Sequence, residues 1–282
     1  MTEAAVGRHA PKNQAIRLRH LSKVFPGEPQ PVAALQDFSL DIAQGEVAII
    51  LGPSGCGKST AVRIIAGLTA ATSGLVVVNE EPVFGPRRDC GMVFQAYTSF
   101  PWLSVVDNIA FGLRYKSNAS AAERCAIARQ LACEVGLEEF QSAFIGKLSG
   151  GMKQRVAIAS ALATNPEILL MDEPFGALDS QTRMVMQEHL LTIVERTKKT
   201  VVFVTHDIEE ALLLGDRIYV CSARPARVLA ELEVPFGHPR TAATRNKREF
   251  FEMKHEIFYL LREHIYNRMA ETAHGQRRRR KS

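Results

Sequence analysis

The sequence predicts an α/β chain with a parallel central sheet, an antiparallel β subdomain and an inserted helical subdomain. Three observations carry this reading. The apolar run Val47-Ala-Ile-Ile-Leu51 has the length of a buried strand and passes directly into a glycine-rich turn. Residues 165–230 alternate strand-like and helical stretches, as parallel strands joined by helical crossovers do. Between these regions, residues 102–164 lose strand character and read as helical.

Taken in order, residues 15–50 read as strands with turns at Pro26-Gly27 and Gln44-Gly45. A helix starting near Lys58 runs to about Gly67, and residues 75–94 return to strand. The helical stretch contains Ala119-Ser-Ala-Ala-Glu-Arg124, after which Ile127, Leu131 and Val135 recur at four-residue spacing. Beyond residue 230, Phe250, Met253, Ile257, Leu261, Ile265 and Met269 describe one amphipathic helix packed on the body. The expected organisation is a flexible N-terminus (1–14), a main domain (15–235) with its helical subdomain at about 96–164, a C-terminal helical extension (236–270), and a basic disordered tail (271–282).

Composition narrows the class. A chain of 282 residues with 46% apolar content can bury one large core, or one core plus a small subdomain. No stretch approaches the roughly 18–20 consecutive apolar residues that span a bilayer, so any channel belongs to a separate polypeptide. The N-terminal ten residues lack the apolar core of a secretory signal. The formal charge is +5, but Arg277–Lys281 supplies five positive charges, leaving the body near neutral and no evident nucleic-acid binder. Cysteines at 56, 90, 125, 133 and 221 are odd in number and form no CxxC pair, which suggests a reducing cytosol and no structural metal.

The chemistry starts at Gly52-Pro53-Ser54-Gly55-Cys56-Gly57-Lys58-Ser59-Thr60, a match to GxxxxGK[ST] in the required strand, loop and helix order. Glycines let the backbone wrap a phosphate without Cβ clashes, and the inward amides and the helix dipole attract the anion. Lys58 reaches the β- and γ-phosphate oxygens of a nucleoside triphosphate, and the Ser59 hydroxyl ligates Mg²⁺. A second apolar run ends in Met171-Asp172-Glu173-Pro174. Asp172 is the expected Mg²⁺ partner; a bend at Pro174 lets Glu173 face the γ-phosphate as the base that polarises water. Thr200–Thr205 ends at His206, whose imidazole is placed to touch the γ-phosphate or orient the water. Alone, His206 would be an ordinary capping residue; its order among the other motifs reverses that. Gln95 ends another apolar run with an amide able to meet metal and water together. Phe25, from the residue alone, is equally a core side chain or an adenine platform.

Leu148-Ser-Gly-Gly-Met-Lys-Gln-Arg155 is a second phosphate cradle, with Ser149, Gly150 and Gly151 opening a helix. One ATP needs one cradle, so the second implies nucleotide held between two copies. Phe25, GPSGCGKST, Gln95, LSGGMKQR, LLMDEP, Ala177-Leu-Asp179 and His206 together resemble the ATP-binding cassette (ABC) ATPases, with a P-loop NTPase core. The likeness covers roughly residues 15–235 and departs from the commonest form at Met152, where Gln is more frequent. It implies adenine stacking on Phe25, phosphate and Mg²⁺ binding by Gly52 through Thr60, Mg²⁺ and water contact by Gln95, Mg²⁺ through water by Asp172, and nucleotide contact at Asp179. It gives the base to Glu173, the γ-phosphate switch to His206, and Ser149, Gly150 and Gly151 to the nucleotide of the opposite chain. It further implies a homodimer of cassettes, peripheral on the cytoplasmic face of the plasma membrane and joined to multi-span permease subunits.

The segment Ala96–Asn108 holds Tyr97, Phe100 and Trp102 beside Gln95, and the resemblance makes it the permease contact. It also joins Glu173–Asp179 and Ala223-Arg-Pro-Ala-Arg-Val228 in similarity to subunits importing nitrate, aliphatic sulfonates and taurine, which work with a substrate-binding protein. Pyrimidine-like vitamin precursors rank behind these anions. Soluble cassette ATPases of DNA repair or translation are the competing class, disfavoured because they pair two cassettes or insert coiled coils or zinc modules. A P-loop kinase leaves LSGGMKQR unexplained. Cys56, inside the phosphate loop near the helix start, is expected to favour thiolate, so alkylation there should block hydrolysis unless ATP is bound; the alternative reading is a small space-filler.

Overall fold

A computed structural model describes residues 13–279 except 97, 117, 177 and 239; of the side chains beyond residue 264 nothing is stated. Strands β1 (Gln14–Phe25), β2 (Val32–Ala43) and β3 (Val47–Leu51) precede helix α1 (Lys58–Ile65). Then come β4 (Ser73–Val78), β5 (Glu81–Pro82) and β6 (Cys90–Val93), followed by helices α2 (Val105–Phe111), α3 (Leu113–Lys116), α4 (Ala121–Glu134) and α5 (Gly150–Ala163). The chain continues as β7 (Ile168–Asp172), α6 (Ser180–Thr197), β8 (Thr200–Thr205), α7 (Ile208–Leu214), β9 (Arg217–Cys221), β10 (Val228–Glu233) and α8 (Arg248–Arg279).

Two sheets form among the described residues. The first is antiparallel, in the order β2-β1-β4-β5; the second runs β10-β9-β3-β8-β7-β6 and is parallel except for β10 on β9. Strands β3, β7 and β8 are buried at every position, as expected where both faces of a parallel sheet are covered. Side-chain alternation divides β3 between two cores. Val47, Ile49 and Leu51 pack towards α5–α8, while Ala48 and Ile50 pack towards α1 and the antiparallel sheet. Register then aligns the strand ends: Leu51 pairs with Thr205, and Val204 with Asp172. Gly52, Glu173 and His206 therefore leave the sheet at one edge, the carboxyl end where parallel sheets bind ligands.

The helical subdomain has its own small core, which includes Val105, Ile109, Ala128, Ala132, Val156 and Ala159. Helix α5 belongs to both cores, because Ile158 and Leu162 on its other side pack on the main sheet. Of the expected Ile127-Leu131-Val135 stripe, Val135 is buried and Leu131 packs against the subdomain core, but Ile127 is 38% exposed, and α4 buries Ala128 and Ala132 beside them. Small side chains there let helix backbones approach closely, which a periodicity of large residues does not reveal. Phe250, Met253 and Ile257 anchor α8 on the body, as expected; Ile265 and Met269 lie outside the described side chains. The helix continues to Arg279, beyond the expected boundary at 270, through a segment without proline in which Ala, Glu, Gln and Arg favour helix and Gly275 does not; Arg280–Ser282 lie outside the described residues.

Candidate functional site

The loop from Gly52 closes onto α1, which begins at Lys58 as the motif requires. Gly57 has φ +129° and packs so closely that a Cβ would lie 2.3 Å from the Ala34 carbonyl oxygen. The loop is thus pressed against β2, and only glycine fits. Lys58 is buried, and its Nζ donates to the carbonyl oxygens of Gly52 and Pro53, each at 2.9 Å. A cavity of about 330 Å³ lies over this loop, lined by Ser54 through Thr60 in part, with Gln95, Glu173 and Phe25. Phe25 is 37% exposed and is no core side chain, which removes that alternative; Lys23 Nζ sits 4.8 Å from its ring centre.

The carboxylates divide as alternation demands. Asp172 is fully buried; Oδ1 accepts from the Ser59 hydroxyl at 2.7 Å, while Oδ2 has no partner. Burial pushes this carboxyl above its usual range, against the Ser59 hydrogen bond. An unmatched buried oxygen beside a hydroxyl is the donor set a hard cation takes, so Ser59 and Asp172 fit Mg²⁺. Glu173 turns the other way. The turn occurs at Glu173 itself, with φ +45°, rather than at Pro174 as expected, and its N–H donates to the Val204 carbonyl. A non-glycine residue in this region is strained and persists only where its surroundings hold it. Its carboxylate meets Lys58 Nζ at 3.5 Å, His206 Nδ1 at 3.3 Å and Gln95 Nε2 at 3.4 Å.

Cys56 departs from expectation. It is 1% exposed, and burial raises the thiol above its ordinary value, overriding the nearby Lys58 charge and backbone N–H groups that favour thiolate. It fills space beneath the loop.

The second cradle opens α5. Ser149 caps the helix and accepts from the Met152 N–H at 3.4 Å. Asp179 caps α6, accepting from the N–H groups of Gln181 and Thr182 at 3.1 and 3.0 Å, which hold its carboxyl below the usual range. None of Ser149, Gly150, Gly151 or Asp179 lines the cavity over Gly52–Thr60 of the same chain.

The fold and the cavity have independent parallels. Residues 35–176 match the family model described as ABC transporter. The chain belongs to this family. The cassette is 46% identical over 253 residues to a taurine import ATP-binding protein of Rhizobium johnstonii, covering 87% of this chain and 96% of that one. It is 44% identical over 253 residues to a nitrate import ATP-binding protein of Synechocystis sp., covering 88% and 95%. A solved ATP-binding cassette, dimeric and bound to ADP and Pi, superposes with a TM-score of 0.72 at 35% identity, covering 79% of this chain and all of that one. As a member of the family, the cassette binds and hydrolyses ATP.

Two features of this cassette were missed in the sequence. Arg224 lines the cavity and forks onto the Gly55 carbonyl oxygen, Nε at 3.0 Å and Nη2 at 2.9 Å. Its place after β9, next to the strand feeding the loop, was the available signal. The aromatic segment also extends further than read: Trp102, Phe100, Phe111 and Tyr115 form a ladder with successive ring centres 5.6, 4.4 and 5.7 Å apart. Asn108 pins its start, accepting from the Phe100 N–H and donating to the carbonyls of Phe100, Leu103 and Ser104. Trp102 and Tyr115 are 69% and 73% exposed; Tyr97 lies outside the described residues. Among the described residues, no helix is long and apolar enough to cross a membrane.

Proposed function

We propose that this cassette powers import of a small anion, of the taurine, aliphatic sulfonate or nitrate type, from the cytoplasmic face of the plasma membrane. The observation that carries its catalytic half is the Glu173 carboxylate held among Lys58, Gln95 and His206 at the carboxyl edge of the sheet. The substrate class rests on the taurine and nitrate import relatives.

In this reading the amides of Gly52–Thr60 and the start of α1 bind the phosphates, Lys58 steadies the β- and γ-oxygens, and Phe25 stacks on adenine. Ser59, Asp172 and Gln95 hold Mg²⁺, which neutralises charge on the β- and γ-phosphate oxygens when bound. Glu173 accepts a proton from the attacking water, and His206 and Gln95 fix that carboxylate and sense the γ-phosphate. Ser149, Gly150 and Gly151 of a second copy, with its Asp179 at the seam, seal the nucleotide, so ATP closes the homodimer and hydrolysis reopens it. The exposed aromatic ladder from Trp102 to Tyr115 meets a helix of a multi-span permease, and a substrate-binding protein delivers the anion to that permease.

The test is capture from detergent-solubilised membranes of the native host with Glu173→Gln protein and ATP, followed by uptake of labelled taurine and nitrate into vesicles holding the recovered complex. Recovery of a multi-span membrane protein and ATP-dependent anion uptake are expected. Recovery of only soluble or nucleic-acid-bound partners would move the cassette to the non-transport class and leave the ATP site standing.

A further inference from the structure

A buried polar chain links the C-terminal segment to His206. In the 3₁₀ turn Ala242–Asn246, Arg245 Nη2 donates to Gln187 Oε1 on α6 at 3.0 Å. Gln187 Nε2 donates to Glu210 Oε1 on α7 at 3.0 Å, and the Thr205 hydroxyl donates to Glu210 Oε2. Thr205 Oγ1 in turn accepts from the Asp207 N–H at 3.0 Å, closing a turn in which His206 is the middle residue. Gln187, Glu210 and Thr205 are at most 6% exposed.

The chain has a defined polarity. Arginine can only donate, so it fixes which end of the Gln187 amide faces it and turns Nε2 towards Glu210. A carboxylate taking both the Gln187 amide and the Thr205 hydroxyl proton leaves a lone pair of Thr205 Oγ1 for the Asp207 N–H. Every bond then supports the next, and losing one leaves a buried group unmatched. Asp207 completes the corner by capping α7, accepting from the N–H groups of Glu209 and Glu210. A second tie, Lys254 Nζ to Glu209 Oε1 at 2.5 Å, fastens α8 to the same helix. The Thr205 carbonyl also accepts from the Gly52 N–H at 3.4 Å, so the corner and the phosphate loop share one frame.

We infer that Arg245, Gln187, Glu210 and Thr205 are positioning residues for His206, which makes the segment after residue 235 part of the catalytic frame. This rests on the γ-phosphate role given to His206 above. Loss of the Thr205 hydroxyl's bond to the Asp207 N–H swings the imidazole-bearing residue away from Glu173, while the Gly52 N–H keeps the Thr205 backbone carbonyl as its acceptor, so the effect falls on turnover. Bulk packing of the C-terminus would instead be read as stability alone.

The test compares full-length Arg245→Ala, Arg245→Lys, Thr205→Val and His206→Ala in steady-state ATP hydrolysis, with thermal melting alongside. Arg245→Ala should lower kcat at least threefold, with KM for ATP within about twofold, and Arg245→Lys, which still donates to Gln187, should recover at least half of the loss. Thr205→Val, nearly the same shape and at the last position of β8, should lower kcat in the same way, so the test stands even if one variant folds poorly. A smaller loss in either Arg245→Ala or Thr205→Val, or no recovery in Arg245→Lys, overturns the inference. His206→Ala separates the two layers: full hydrolysis without the imidazole removes the His206 reading itself, whereas loss of hydrolysis there with Arg245→Ala unaffected removes only the relay.

Discussion

His206 Nδ1 stands 3.3 Å from Oε2 of Glu173, although the two residues end different strands of the sheet. The Val204–Asp172 register on β8 and β7 brings them together, and the left-handed backbone at Glu173 turns its carboxylate to the ring. With Lys58 on the opposite oxygen, the carboxylate is held at both ends while its side chain stays 12% exposed, enough to meet a water.

Glu173→Gln keeps the shape and removes the base. ATP hydrolysis should fall about 10²–10⁴-fold, the range for a positioned general base, while ATP binding persists and a dimer accumulates in sedimentation with ATP. Lys58→Ala should instead weaken ATP binding about 10–100-fold, the loss of a charged hydrogen bond of about 1.5–3 kcal/mol. Hydrolysis at the wild-type rate in both would overturn the site.

Arg224→Ala frees the Gly55 carbonyl that the guanidinium forks. Binding of a fluorescent ATP analogue should weaken about tenfold, close to 1.5 kcal/mol for a charged hydrogen bond. Arg224→Lys should recover only part of this, because an ammonium cannot reproduce the fork. Unchanged affinity in Arg224→Ala would show that the contact does not shape the loop.

Cys56 should resist alkylation. Its buried thiol is pushed above its ordinary value, so the thiolate fraction at pH 7–8 is small and rises only at higher pH. Mass spectrometry after brief iodoacetamide treatment at pH 7.5 should find exposed Cys133 labelled and Cys56 intact, with labelling of Cys56 increasing towards pH 10. Rapid labelling of Cys56 at neutral pH would contradict its placement under the loop.

Trp102→Ala should leave ATPase activity of the isolated cassette in the wild-type range and abolish ATP-driven uptake in the assembled transporter, because Trp102 is 69% exposed, packs on Phe100 and does not line the cavity over the phosphate loop. Undiminished uptake would remove the ladder from the permease contact.

The order of apolar runs, glycine turn and strand-end polar residues in the sequence determined the α/β class, the start of α1 at Lys58, and the membership of Asp172, Glu173, Gln95 and His206 in one site. These are local signals: strand burial on both faces, the needs of a tight loop, and residues placed where a strand must end. Tertiary structure alone decided the rest. The turn that aims Glu173 lies in its own left-handed backbone rather than at Pro174, Arg224 reaches Gly55 across 169 positions, and burial overrode the electrostatics expected for Cys56. The Arg245–Gln187–Glu210–Thr205 chain spans three helical elements and a strand. Such contacts arise from the packing of distant segments, and no spacing along the chain encodes them.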